Sequence, residues 1–374
     1  MFCSEDGKVG KNEGFFKRQT EESETKSRIV DEYFSAWAKI VMPAAERRGT
    51  EIAYLDLFSG PGRYGDGGTS TPLLVLKAAI KDPRISKVTK FHFNDSNAEY
   101  VNDLERAIKS LPGIGKISRR PTFSNHEINE RIDTFLNDRE RLPTLSFVDP
   151  FGYKGFSMNL LGELIRDWGC DCIFFFNHDN VNRFIRASAV RPHMEAVFGK
   201  ERLDNLLEEI RSLTGEARKS RILQTLTAAI REEHNVKYVL PFPFYNPSGR
   251  RSLHVLIFVS RHFKGYNVMK YIMRGVSSDD GRFGYSRTGK DTLWLFPYSQ
   301  PLNKDDLLKT FSGRVLSKKA IYEEHSIGKL FVERDYTRAL KDLEEEGKIT
   351  ARSTKGERKK GTFPEHVLIQ FPKL

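Results

Sequence analysis

The chain has 374 residues, 61 of them Lys or Arg and 50 Asp or Glu, for a formal charge of +11. That length holds a full core and suggests two or three domains, and the basic balance suits an acidic partner, nucleic acid above all. No run of about 18 apolar residues could span a membrane, and the first residues lack the apolar stretch of a signal peptide. Three cysteines (Cys3, Cys170, Cys172) supply neither a disulfide framework nor the paired spacing of a zinc site, so a reducing cytoplasm and no metal are expected.

Residues 1–21 read as a solvated lead-in. Over 22–42, Ile29, Val30, Tyr33, Phe34, Trp37, Ile40 and Val41 recur at helical spacing, which predicts a helix ending at Pro43. Strand and helix patterns then alternate. "IAYLDLF" is an apolar strand, and "TPLLVLKAAIKD" a helix with Thr71 as cap and Pro72 in its first turn. Strand "KFHFND", helix "NAEYVNDLERAIKSL", helix "HEINERIDTFLND", strand "TLSFVD", helix "SMNLLGELIRDWG" and strand "CIFFFN" follow. Wholly apolar strands between amphipathic helices imply a parallel sheet covered on both faces.

From about 181 to 236 the pattern turns helical and charged, an insertion suited to a lid or a substrate-reading face. "KYVLPFPFYN" and "SLHVLIFVSRH", joined by "PSGRR", read as a hairpin, and a helix then closes a first domain over 22–274. Residues 275–301 are rich in Gly and Ser and read as a connector docked through Trp294 and Phe296. Over 302–374, three helices and a two-stranded hairpin around "STKGERKKGTF" make a winged helix-turn-helix.

The most informative stretch is "YLDLFSGPGRYGDGG", residues 54–68. Gly60, Gly62 and Gly65 spell a dinucleotide fingerprint, but three features oppose that reading. The helix waits until Thr71, Pro61 has no N–H to offer a pyrophosphate, and the next strand-end acid, Asp95, lies 30 residues beyond Gly65 rather than about 20. Read from Asp56, the pattern is instead D-x-F-x-G-x-G after a first strand. It resembles motif I of class I S-adenosylmethionine-dependent methyltransferases, which implies a Rossmann-like sheet ending in an antiparallel hairpin. On that resemblance Asp56, Phe58, Gly60 and Gly62 form the cofactor turn and Asp95 accepts the ribose hydroxyls. Asn125, in "FSNHE", becomes the candidate adenine contact, with a helix cap as the alternative.

"SFVDPFGYKG" sets Asp149, Pro150 and Phe151 at the end of the fourth strand. Methyltransferases of exocyclic base amines carry Asp/Asn-Pro-Pro-aromatic there: an acceptor holds the amine and an aromatic stacks on the base. Here Phe151 and Gly152 replace the last two residues, and Asp-Pro-Phe-Gly is similar to the motif of tRNA guanine-N2 dimethyltransferases. A strand-ending Asp-Pro turn is the plain alternative. Carbon-5 cytosine methylation needs a cysteine nucleophile, usually after proline, whereas Cys170 and Cys172 follow Gly and Asp at a strand entry. Asn177 or His178 could line the pocket, though a strand-end structural role suits His178 better.

In the tail, Lys355, Arg358, Lys359 and Lys360, with Arg352, oppose only Glu357 and are placed to touch phosphates, while Tyr336, Thr337, Arg338 and Lys341 could face a groove. The acids of "LEEEG" would repel DNA if they faced it, and winged helices also dock proteins. Taken together with "GTSTPLLVL", "DPFGYKG" and this tail, the chain resembles the three-Cys-motif partner protein (TcmP) family over roughly 20–374. The resemblance implies a methyltransferase-like fold and a partner similar to radical S-adenosylmethionine proteins with a three-cysteine motif. Two functions follow: methyl transfer to a base amine, or a non-catalytic methyltransferase-like subunit that binds nucleic acid or that partner.

Overall fold

The computed structural model describes residues 18–128, 142–150, 155–245, 252–277, 284–285 and 302–373. Helix α1 (Glu21–Arg47) opens at Thr20, whose hydroxyl accepts the Ser23 amide at 3.1 Å, and Glu21, Glu22 and Glu24 complement the dipole of its first turn. It does not stop at Pro43. Met42 before the proline and Ala45 after it are both buried, so packing keeps the last turn helical despite the missing N–H.

Seven strands form the main sheet: β1 (Ile52–Asp56), β2 (Thr89–Asn94), β3 (Thr122–Ser124), β4 (Thr144–Val148), β5 (Asp171–Phe176), β6 (Tyr238–Tyr245) and β7 (Ser252–Ser260), in the order β3-β2-β1-β4-β5-β7-β6. The first five are parallel, and the hairpin β6–β7 adds two antiparallel strands beside β5. This is the Rossmann-like sheet, closed by an antiparallel hairpin, expected from the sequence. Pro241 and Pro243 sit on β6, the edge strand, where a missing N–H costs no ladder bond on the open side. Chain order reverses between β1 and β4, so the crevice above their carboxyl ends is the topological switch point where ligands bind in open α/β sheets.

Helices cover both faces. Alongside α1, helices α2 (Thr71–Lys81), α3 (Pro83–Val88) and α4 (Ala98–Lys109) pack with α10 (Phe263–Gly275) around Tyr33, Phe34, Tyr54, Phe91 and Phe258. On the other face lie α5 (Met158–Leu164) and the insertion helices α6 (His178–Phe184), α7 (Arg191–Phe198), α8 (Lys200–Glu209) and α9 (Gly215–His234), with a core of Leu55, Phe174, Ile222 and Ile257. Thr71 is not the cap of α2: Ser70 holds that position, and the Thr71 hydroxyl meets Ser27 on α1 at 2.9 Å. The helix predicted over 126–138 falls mostly outside the described residues, as does most of the 275–301 connector, including Trp294 and Phe296.

A separate core gathers Leu307, Phe311, Ile321, Tyr336, Leu340 and Ile369. It joins α11 (Lys304–Thr310), α12 (Lys318–His325) and α13 (Glu333–Glu345) to a sheet of β8 (Val315–Ser317), β9 (Thr350–Ser353) and β10 (Val367–Gln370), ordered β8-β10-β9. This winged helix-turn-helix therefore carries a third strand that the two-stranded reading lacked; three residues are too few to show a period. It rests on α10, where Tyr322 donates to Asn267 at 2.5 Å and the buried Lys270 ammonium donates to the Ser326 carbonyl at 2.8 Å. Burial pulls the Lys270 ammonium down to about 7. Among the described residues no helix is long and apolar enough to cross a membrane.

Candidate functional site

The strand ends bring the site together. Asp56, the last residue of β1, pairs in register with Phe93 on β2 and Phe147 on β4. Asp95 and Asp149 each follow those partners by two residues, so three carboxylates gather at the carboxyl ends of neighbouring strands. The chain between β1 and α2 turns through Gly60 and Gly62, at φ of 61° and 85°. At Gly62 a side chain would also strike Leu104 of α4, at 2.8 Å from its Cδ1. The Phe58 ring lies over Gly155, whose own Cβ would come within 2.7 Å of it, and so ties the glycine turn to the segment after β4.

Hydrogen bonds fix the turn on the second strand. Asp95 accepts the Gly60 amide through one oxygen and the Asn97 amide through the other, both at 2.9 Å. Ser59 donates its amide to the Asn94 carbonyl at 2.9 Å. From α1 the segment at Gln19 reaches over, its amide on Asp66 at 3.0 Å and its side chain on the Thr69 carbonyl at 3.1 Å. Burial raises the Asp95 carboxyl, against the pull of those two amides. Asp56 is deeper. Burial first, then the negative charges of Asp149 and Asp95, hold it well above the usual carboxylate range, although the Phe58 amide donates to one oxygen at 3.2 Å. Its second oxygen is buried without a hydrogen bond of ordinary geometry, and the buried Tyr54 hydroxyl is close to the same carboxyl.

Facing them is a residue that the sequence reading passed over. The Lys26 ammonium, from the first turns of α1, pairs with the Asp149 carboxylate; their side chains are 8% and 22% exposed. It also sits 4.6 Å from the centre of the Phe175 ring, which stacks on His254 at 4.9 Å. Burial, and then the Lys26 charge, lower the His254 imidazole to about 4, so it is neutral. Lys26 stands three and four positions before Ile29 and Val30, on the apolar stripe itself, and that register was the available signal.

The remaining candidates separate from this group or join it weakly. Pro150 is buried directly after Asp149, whereas Phe151 lies outside the described residues. Asn125 is exposed, and its amide donates to the Asp95 carbonyl at 2.8 Å, next to the turn. Asn177 caps α6 by accepting the Asn180 amide at 3.1 Å, and His178 is fully buried against the Lys219 carbonyl at 2.8 Å, a structural role. Cys170 and Cys172 are core residues; burial pushes the Cys170 thiol up to about 11 and Cys172 higher still. A cavity at the opposite ends of the strands, lined by Lys90, Thr144 and Cys170, stands apart from these groups.

Chemically, the turn offers acceptors and no phosphate cradle. A buried carboxylate oxygen on Asp56 suits an ammonium, and Asp95 keeps a second lone pair on each oxygen for hydroxyl donors. S-adenosylmethionine presents an ammonium and a ribose diol, so the residues fit that cofactor.

On the winged helix, Arg338 and Lys341 project from α13, and Lys355, Lys359 and Lys360 from the wing, all exposed. Tyr336 is instead core, hydrogen-bonded to His325 at 2.9 Å. Arg358 is half-withdrawn into the wing and paired with Glu344. The three acids of "LEEEG" are engaged as well: Glu344 by Arg358, Glu346 by Lys304 and Lys348, Glu345 more loosely by Lys341 at 3.8 Å.

Residues 284–356 match the family model of the GMT-like wHTH domain. No curated protein matches the sequence. Among solved structures, the DszA carbon methyltransferase is 15% identical with a TM-score of 0.40, over 67% of this chain and 57% of its own, so the chain spans little more than half of it. Trm1 from Pyrococcus horikoshii, solved with S-adenosyl-L-methionine, is 10% identical with a TM-score of 0.34, over 96% of this chain and 92% of its own. The methyltransferase domain of bacterial CtHen1-C is 12% identical with a TM-score of 0.31, over 61% and 98%.

Proposed function

We propose that the chain is an S-adenosylmethionine-dependent methyltransferase acting on an exocyclic amine of a nucleic-acid base. The observation that carries this reading is the meeting of Asp56, Gly60 and Asp95 with Asp149 at the switch point of the sheet. The bound cofactor supplies an electrophilic methyl group. Asp95 accepts the ribose hydroxyls and Asp56 the ammonium, while Gly60 and Gly62 let the backbone come close and Phe58 and Asn125 border the pocket. Asp149 accepts an N–H of the target amine and so turns the nitrogen lone pair outward; the proton that the nitrogen sheds after methylation goes to this carboxylate or through it to water. Pro150 fixes the backbone there, and Phe151 flanks the base.

The layout supports delivery of a polymer: a methyltransferase-like domain over 22–274, a connector over 275–301 and a winged helix over 302–374. In this arrangement Arg338, Lys341, Lys355, Lys359 and Lys360 grip phosphates in the cytoplasm. Membership of the TcmP family, and a three-Cys-motif radical-S-adenosylmethionine-like partner, belong to the same proposal. One observation favours the second, non-catalytic reading: the Asp149 carboxylate already holds an ammonium, that of Lys26. Transfer of labelled methyl groups into mixed DNA and RNA, with and without such a partner, separates the two. Incorporation into a base supports the enzyme, and binding of nucleic acid without incorporation under either condition supports the binding subunit.

A further inference from the structure

The basic wing is not uniform. Its lysines point outward, but the Arg358 guanidinium is turned inward with every nitrogen engaged. Nε and Nη2 donate to the Ala351 carbonyl at 3.1 and 3.0 Å, Nη1 donates to the Thr362 carbonyl at 3.2 Å, and the group pairs with Glu344. The two side chains are 12% and 7% exposed. Glu344 belongs to the last turn of α13, and its other oxygen accepts the Gly361 amide, three residues further along the same loop, at 2.8 Å. Gly361, at φ +77°, packs against the stem of Lys341, where a Cβ would stand 3.2 Å from its Cγ. One carboxylate at the end of the helix thus holds the wing at two points.

We infer that Glu344 and Arg358 form a strut that sets the wing against α13, so that Lys355, Lys359 and Lys360 line up with Arg338 and Lys341 as one phosphate-binding surface. Arg358 is then a positioning residue and touches no phosphate itself. Glu344, an acid on a surface read as binding a polyanion, strengthens that binding instead of opposing it. This rests on the nucleic-acid reading of the winged helix.

The two roles of Glu344 give effects of opposite sign. Removing an acid that merely faces nucleic acid tightens binding, whereas removing half of a buried pair leaves the other charge unsatisfied and frees the wing. Fluorescence anisotropy of the full chain with labelled duplex DNA and with labelled bulk tRNA, over a salt series, reads this. Glu344→Gln should weaken binding several-fold despite adding one positive charge. Arg358→Gln should weaken it to a similar extent with the double-log salt slope unchanged, while Lys359→Ala lowers that slope by about one unit. The double variant should bind no worse than the weaker single. Tighter binding by Glu344→Gln, or a slope lowered by about one unit in Arg358→Gln, overturns the strut. Hydrogen exchange in the wild-type chain serves even where a variant unfolds or the wild type binds neither probe: the Gly361 amide should exchange far more slowly than the exposed wing amides, and fast exchange there rejects the strut. Absence of wild-type binding with a protected Gly361 amide would discard the nucleic-acid reading and leave the strut in place.

Discussion

The Lys26 ammonium rests on the Asp149 carboxylate across 123 residues of chain, with the Phe175 ring beneath it. The pair joins the first helix to the end of β4, the point where the proposed chemistry occurs. Because Lys26 is almost wholly enclosed, removing it strands a negative charge in a partly buried place. Lys26→Met should cost about 3 kcal/mol of stability by urea unfolding, and adding Asp149→Asn to it should restore part of that loss. Additive losses would show that the two side chains are not coupled.

Asp149 should divide catalysis from cofactor binding. Asp149→Ala is expected to lower methyl transfer by about 100-fold or more, because the amine loses both its orientation and its proton acceptor. Cofactor affinity should stay within a few-fold, measured calorimetrically on the same preparation. Activity that survives the substitution would reduce Asp149 to a strand-ending turn residue.

What could be read from the sequence, and what could not, follows from range. The glycine turn, the acid after β2 and the acid after β4 were legible because each sits within a few residues of a strand end, where local pattern fixes position. The partner of Asp149 was not, since it comes from another element and a lysine in an amphipathic helix looks like its solvated face; only its register with Ile29 and Val30 spoke otherwise. Arg358 misled in the opposite way. A run of basic residues reads as one surface, yet the loop between β9 and β10 turns this one inward to Glu344. Pro43 was read as a stop, and tertiary packing overrode it.

Asp171, before Cys172 on β5, gives a pH signature of the core. Burial raises its carboxyl to about 6, against hydrogen bonds from Ser260 and from Tyr33, the latter at 2.6 Å. The native state therefore holds a proton that the unfolded chain releases near pH 4, and this contribution to stability fades as pH rises from about 4 to about 6. Asp171→Asn carries no such proton. Its stability relative to wild type should improve by about 2–3 kcal/mol between pH 4 and pH 7 in urea unfolding. A difference that does not vary with pH would mean that Asp171 is ionised in the fold.

The outward lysines of the wing should behave as direct contacts. Replacing Lys355, Lys359 and Lys360 together with Ala should flatten the salt dependence of nucleic-acid binding by about one unit per lost contact, with the loss greatest at low salt. Cofactor affinity should not change. An unaltered slope, accompanied by loss of a protein partner, would make the winged helix a protein-docking module.

The account turns on what the glycine turn holds, and titration calorimetry of the purified chain with S-adenosylmethionine and S-adenosylhomocysteine measures that directly. The turn should bind both, and Asp95→Ala, which removes the carboxylate assigned to the ribose, should weaken binding by at least about tenfold, the effect of losing roughly 1.4 kcal/mol. Binding that Asp95→Ala leaves unchanged would contradict the placement of the ribose, and no binding of either compound would contradict the methyltransferase reading itself.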